Sequence, residues 1–140
     1  MEIINSQINL TTKGNTDIID ITDKVVQELT NTKLKNGNVL IFVEGSTAGI
    51  TTCEFEAGLA KDLKTMFEKL IPQEINYNHN NAWGDGNGHS HLRASLIGCS
   101  LAIPFTSSNL CLGTWQQVIL IDFDNRPRKR TIQLQFIGKK

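Results

Sequence analysis

The chain has 140 residues, 39% hydrophobic and 20% charged, with 14 basic against 14 acidic side chains and no net charge. That length suits one compact domain able to bury its own core, so a single domain over residues 1–140 is expected. Balanced charge removes the electrostatic case for a nucleic-acid partner, and no apolar run approaches a membrane span.

In chain order, residues 3–12 alternate as a strand and Lys13-Gly14-Asn15 reads as a turn. A short strand over 17–21 leads into a helix capped by Thr22 or Asp23. Val25, Val26 and Leu29 form its apolar face, and Asn36-Gly37 ends it. Residues 39–43 are a continuous β-branched run, hence a buried central strand. Beyond the small-residue loop at 45–49, residues 50–55 read as another strand that can neighbour it in a sheet. Leu59, Leu63, Met66, Phe67 and Leu70 recur at helical spacing until Pro72 stops the helix, with Met66 and Phe67 on its core face. Residues 73–88 form a long polar connection, a feature that is functional more often than chance.

The last third reads as β: residues 101–105, a Thr-Ser-Ser-Asn turn, residues 110–123 and residues 131–137. In the final strand Ile132, Leu134 and Phe136 alternate with Gln133 and Gln135, so one face is buried. Arg126-Pro127-Arg128-Lys129-Arg130 reads as a solvated hairpin turn rather than an anion-binding patch. The pattern as a whole is α+β: an antiparallel-rich, β-sandwich-like sheet with two main helices. Cys53, Cys99 and Cys111 cannot all pair and form no C-x-x-C, which suits small packed thiols in a reducing compartment. With no secretory leader at the start, a cytoplasmic protein is expected.

All three histidines fall between His79 and His91, across a glycine-rich stretch. On a strand, His89 and His91 would share a face; on a helix they would diverge by roughly 200°. With His79 they offer a three-imidazole metal site with an open position, suited to zinc, although the spacing matches no zinc signature. Loop histidines serve equally as acid–base or phosphate-contact groups. Arg93 suits a phosphate or carboxylate clamp as well as it suits a surface ion pair; a helix starting near Ser90 would add free N–H groups to an anion site. The hydroxyl-bearing loop with Thr47 fits contact with an anionic ligand, or is a plain turn. Glu54 is either exposed at an edge or held in a cleft as base or metal ligand. Gly113 interrupts a strand, after which Trp115 and Gln116 wall a pocket or pack beside a bulge.

Thr47-Ala48-Gly49-Ile50-Thr51 with Glu54, then His79, then the run from Asn87 through Gly98 (N-G-H-S-H-L-R-A-S-L-I-G), then Leu112-Gly113-Thr114-Trp115-Gln116-Gln117, resembles the YjbQ family of small bacterial and archaeal proteins. The resemblance spans about residues 5–138. It implies a compact α+β domain assembling as a homotrimer with sites near subunit boundaries. It also implies a secondary thiamine-phosphate synthase activity, joining hydroxymethylpyrimidine diphosphate to a thiazole phosphate with release of pyrophosphate. No aspartate-rich Mg²⁺-diphosphate motif is present, which leaves room for that synthesis to be a side activity. On this reading His79, His91, His89 and Glu54 carry the acid–base chemistry, or the histidines hold a divalent metal such as Zn or Mg. Thr47, Asn87, Arg93, Trp115 and Gln116 would position a small phosphorylated metabolite. The alternatives are a metal-dependent hydrolase of such a metabolite and a non-enzymatic metabolite- or metal-binding trimer.

Overall fold

A computed structural model describes residues 1–140 as eight strands and four helices: β1 (Glu2–Thr12), β2 (Asp17–Asp20), α1 (Thr22–Thr32), β3 (Asn36–Val43), β4 (Ala48–Cys53), α2 (Ala57–Leu70), α3 (Asn78–Trp83), α4 (Gly88–Ile97), β5 (Ser100–Thr106), β6 (Asn109–Leu110), β7 (Gln117–Asp122) and β8 (Arg128–Lys139). The chain is a single α+β unit. Its strands form two antiparallel sheets, ordered β1-β8-β3-β5-β6 and β2-β7-β4. The inward faces of both sheets supply one core, including Ile8, Val39, Ile41, Val118, Leu120, Leu134 and Phe136, which Val25 and Leu29 of α1 help to close. A second core lies behind the smaller sheet, where Phe67 of α2 and Ala94 of α4 meet Ile119, Ile121 and Phe123. The order of layers is therefore large sheet, small sheet, then α2 and α4, with α1 closing the space between the sheets.

This layering explains the sequence patterns. Strand β8 is covered on one face, so Ile132, Leu134 and Phe136 are buried while the glutamines between them are not. Strand β7 is covered on both faces, so its run Val118-Ile119-Leu120-Ile121 is apolar without alternation and feeds the two cores in turn. Phe67 and Phe123 seal the second core edge to face, with ring centroids 4.8 Å apart.

Several expectations change. The run 110–123 is not one strand: β6 pairs with β5 in the large sheet, whereas β7 belongs to the small one, and residues 111–116 cross between them. Strands β3 and β4 are likewise in different sheets rather than neighbours. Helix α1 ends at Thr32 with Lys33 in the left-handed conformation, so Asn36 and Gly37 open β3 instead of closing the helix. Neither Thr22 nor Asp23 caps α1; Asp20 Oδ1 accepts hydrogen bonds from the Thr22 amide and hydroxyl. The polar connection contains α3, and the histidine run is α4, giving four helices instead of two main ones. Met66 is exposed while Phe67 next to it is wholly buried, because the apolar stripe of α2 is narrower than its spacing suggested. Cys99 and Cys111 are exposed thiols, and only Cys53 is partly packed; all three are free.

The strand β8 pattern predicts a sharp contrast between adjacent residues. Leu134→Ala should lower unfolding free energy by about 2–5 kcal/mol through its lost burial and the cavity left behind. Gln133→Ala, on the opposite face, should change it by less than about 0.5 kcal/mol in the same urea titration.

Candidate functional site

A cavity of about 360 Å³ opens where the β3–β4 loop, α3, the entrance to α4 and the start of β8 converge. His79 of α3 and His91 of α4 stand in its wall with ring centroids 4.3 Å apart and planes inclined by 65°. Ser46 and Thr47 form the loop side, Trp83 and Asp85 the outer rim, and Arg128 and Arg130 the strand side. Gly45 is at φ +110, and a Cβ there would lie 2.5 Å from an Arg130 terminal nitrogen; glycine lets the loop close over that guanidinium.

Behind the cavity lies a buried charge network. Arg130 grips Asp122 with two parallel hydrogen bonds, Nε to Oδ2 at 2.7 Å and NH2 to Oδ1 at 2.9 Å. Its NH2 also donates to Thr47 Oγ1 at 2.6 Å, and the Thr47 hydroxyl donates onward to Asp124 Oδ2 at 3.0 Å. Arg128 Nε donates to the same Asp124 oxygen at 2.6 Å. Burial pushes the Asp124 carboxyl up, but hydrogen bonds from Arg128, the Asn125 amide, Thr47 and Asn87 outweigh it and hold the group below the usual carboxylate range. Only the Nε of Arg128 is engaged in this way, and its side chain is one-third exposed (33%), so its terminal fork faces the cavity free.

The network fixes a proton on His79. Asn87 Nδ2 donates to Asp124 Oδ1 at 3.4 Å, which turns the Asn87 amide oxygen toward His79 Nε2 at 3.2 Å. An amide oxygen only accepts, so this assignment requires Nε2 of His79 to carry the hydrogen and leaves Nδ1 bare in the neutral ring. His91 is tuned differently. Desolvation, then the neighbouring His79, push its pKa down; Asp124, Asp85 and the Ser46 main chain pull less strongly the other way. At neutral pH His91 is therefore an unprotonated base beside a ring whose outer nitrogen is fixed as a donor.

The residues singled out in the sequence divide into three places. His79, His91, Asn87 and Thr47 are brought together here. His89 is not: on a helix the i, i+2 pair diverges, and His89 is buried on the side of α4 that faces α2. The three-imidazole metal site consequently does not form, and no group of three His, Cys, Asp or Glu side chains is arranged to hold a metal ion. Arg93 is also turned away. Its Nε and NH2 donate to the Ile71 carbonyl at 3.0 and 2.7 Å, NH2 to Glu68 at 2.8 Å and NH1 to Thr16 at 3.2 Å, tying α4 to α2 and the β1–β2 turn. Glu54, Trp115 and Gln116 lie at the far end of the β4–β7 pair, where Cys53 faces Gln117 rather than Asp122. Five residue steps put that end about 17 Å from the Thr47 end. There Glu54 is exposed, Trp115 is 71% exposed, and Gln116 Nε2 bonds Thr52 Oγ1 at 3.1 Å.

Sequence reasoning missed Asp124, Arg128 and Arg130. The basic run is not a solvated turn: Arg126 and Lys129 face water, but Arg130 is 7% exposed and Arg128 points into the site. The available signal was Asp122-x-Asp124 followed within a few residues by Arg128-x-Arg130, since opposite charges either side of a short connection can meet when the strands it joins pack in facing sheets.

Two histidines carry lowered pKa values, His91 as above and His89 chiefly through desolvation and then Arg93. Below about pH 6.5 the unfolded chain takes up protons that these folded rings refuse, so stability is full above that pH and falls as the solution is acidified. His89→Gln should lower the urea midpoint at pH 7.5 yet flatten its decline toward pH 5 in the same titration series; an unchanged decline would mean that His89 titrates as it does in water.

The chain matches the family model described as UPF0047 protein YjbQ-like over residues 6–139. A UPF0047 protein of Methanothermobacter thermautotrophicus is 35% identical over 139 residues, covering 99% of this chain and 95% of that one. The Bacillus subtilis protein YugU is 31% identical over 132 residues, covering 94% and 97%. A crystal structure from Sulfolobus solfataricus, described as a YbjQ-like protein of unknown function, superposes with a TM-score of 0.93 at 33% identity and 99% coverage of both chains. With sequence match, chain length and fold in agreement, the chain belongs to the YjbQ (UPF0047) family.

Proposed function

We propose that the His79–His91 cavity binds a small phosphorylated metabolite and catalyses its group transfer, with the thiamine-phosphate synthase reaction as the specific chemistry. The observation that carries this reading is the contact between two imidazoles held in different roles beside a free arginine fork. Arg128 and the 45–47 loop would take the phosphate oxygens, where a planar guanidinium gives charge and geometry together. In the transfer, the bond between the pyrimidine methylene and the diphosphate breaks, pyrophosphate leaves with the electron pair, and the thiazole nitrogen forms the new C–N bond. No proton need move for that exchange. The site's task is to stabilise charge on the departing pyrophosphate, for which the Arg128 fork and backbone N–H groups are donors. His91, an available base, would then accept or return protons on the phosphate. The chemistry is assigned to the chain's own side chains, since the two imidazoles fall short of the three protein ligands of a catalytic zinc site.

The homotrimer implied by the resemblance belongs to this reading. Glu54, Trp115 and Gln116 are too far along the β4–β7 pair to reach their own chain's imidazoles, so they join the site only if a neighbouring copy presents them.

His91→Ala, which removes the group that takes or returns protons on the phosphate, should reduce thiamine-phosphate formation by about tenfold or more while the far-ultraviolet spectrum stays unchanged. Equal traces of product from wild type and variant would set the synthesis aside in favour of the hydrolase or the non-enzymatic binding reading. Trp115→Ala should also be inactive, and mixing the two inactive variants should restore roughly a quarter of the wild-type rate, since a shared site is intact in one of four random neighbour pairings. A fully active Trp115→Ala would remove that residue and the shared site together.

A further inference from the structure

A cavity of about 490 Å³, separate from the imidazole site, lies between α2, α4 and the turn joining β1 to β2. No residue lines both cavities. Its wall contains no hydrophobic side chain. Lys64, Lys69 and Arg93 face it against a single carboxylate, Glu68. That carboxylate is already engaged on both oxygens, one accepting from the Gln73 amide at 3.1 Å and the other from Arg93 at 2.8 Å. Neither lysine makes an ion pair within the chain, so their charge is uncompensated around a concave surface.

The second observation is at His89. The Ser90 hydroxyl donates its only hydrogen to the Phe123 carbonyl at 2.5 Å, so toward His89 Nε2, 3.3 Å away, Ser90 can only accept. Nε2 therefore bears the hydrogen and Nδ1 is a bare acceptor. That Nδ1 is one of two buried side-chain polar atoms in the protein with no hydrogen-bond partner, on a side chain 1% exposed that lines this cavity. Buried polar atoms are rarely left so, and such an orphan calls for a donor. Thr16, buried and held at φ +62, places its hydroxyl against Arg93 in the same wall.

We propose that this cavity is a second ligand site, taking a phosphate group that carries, or lies next to, a hydroxyl. The lysines and the remaining Arg93 hydrogen would bind the anionic oxygens, and the O–H would supply the donor that His89 Nδ1 lacks. Hydrogen phosphate satisfies both demands at neutral pH, as does a hydroxylated phosphate ester. A carboxylate without a hydroxyl satisfies only the first.

The test is a titration of the full chain with inorganic phosphate, followed by nuclear magnetic resonance, with chloride at matched ionic strength as the control. The expected result is a saturable shift of the His89 ring and the Thr16 and Arg93 amides with phosphate and not with chloride. Lys64→Glu combined with Lys69→Glu changes two exposed residues and should leave the spectrum dispersed, while weakening the effect of phosphate at His89 by about tenfold or more. Shifts confined to His79 and His91, equal shifts with chloride, or an undiminished response at His89 in the double variant would each overturn the proposal. Because the two cavities report on different rings, failure here is distinct from failure of the His79–His91 reading.

Discussion

Asp122 and Asp124 are both wholly buried at the end of β7, and two arginines from the start of β8 meet them. Charges removed from water in this way are tolerated only when geometry and additional hydrogen bonds are good, and losing one partner strands the other at a cost of several kcal/mol. Here the partners come from everywhere around the site. Arg130 and Arg128 bring the large sheet to the small one, Thr12 brings β1, Thr47 brings the β3–β4 loop, and Asn87 brings the entrance of α4. Asp124, which holds Arg128 and Thr47, also accepts from the Asn87 amide that orients His79. Position and protonation at the cavity therefore share one origin.

The strands were legible because burial on one face leaves a period of two, as in β1 and β8, and burial on both leaves an unbroken apolar run, as in β7. What the pattern cannot register is a change of sheet. Between Leu110 and Gln117 the chain leaves one sheet for the other without losing its strand-like composition. Helices α3 and α4 escaped for a different reason. Helix α3 is rich in Asn and α4 opens on Gly-His-Ser-His, all poor helix formers, and α4 is buried on more than one side, so Gly88, His89, Ser90, Arg93 and Ala94 make no single apolar stripe. Tertiary contacts set these helices: the Gly88 amide bonds the Asn80 side chain at 2.9 Å, and a Cβ at Gly88 would lie 2.7 Å from Tyr77 Cβ, so only glycine lets α3 and α4 meet this closely.

The helical state of residues 88–97 decides which histidines belong together. Had this stretch been a strand, His89 and His91 would have shared a face, and a three-imidazole centre with His79 would have been feasible. As a helix it sends His91 to the cavity beside β8 and His89 toward α2 and Arg93. One turn thus serves two concave surfaces. Arg93, two positions beyond His91, follows His89 and not the imidazole pair, for a clamp cannot serve a site on the far side of its own helix. The cation that does serve it came from the run that looked like an ordinary turn.

Two adjacent imidazoles would be redundant if their surroundings were alike. They are not. His91 is desolvated and feels His79, which favours its neutral form. His79 has its Nε2 turned to the Asn87 oxygen, and that oxygen is aimed by Asp124, whose ionised state Arg128 and Thr47 protect. The asymmetry between a ring poised to accept a proton and a ring fixed as a donor arises from a buried salt bridge on one side and a half-closed cavity on the other. Environment alone thus gives chemically identical side chains different hydrogen-bonding roles, so the two imidazoles do not duplicate each other.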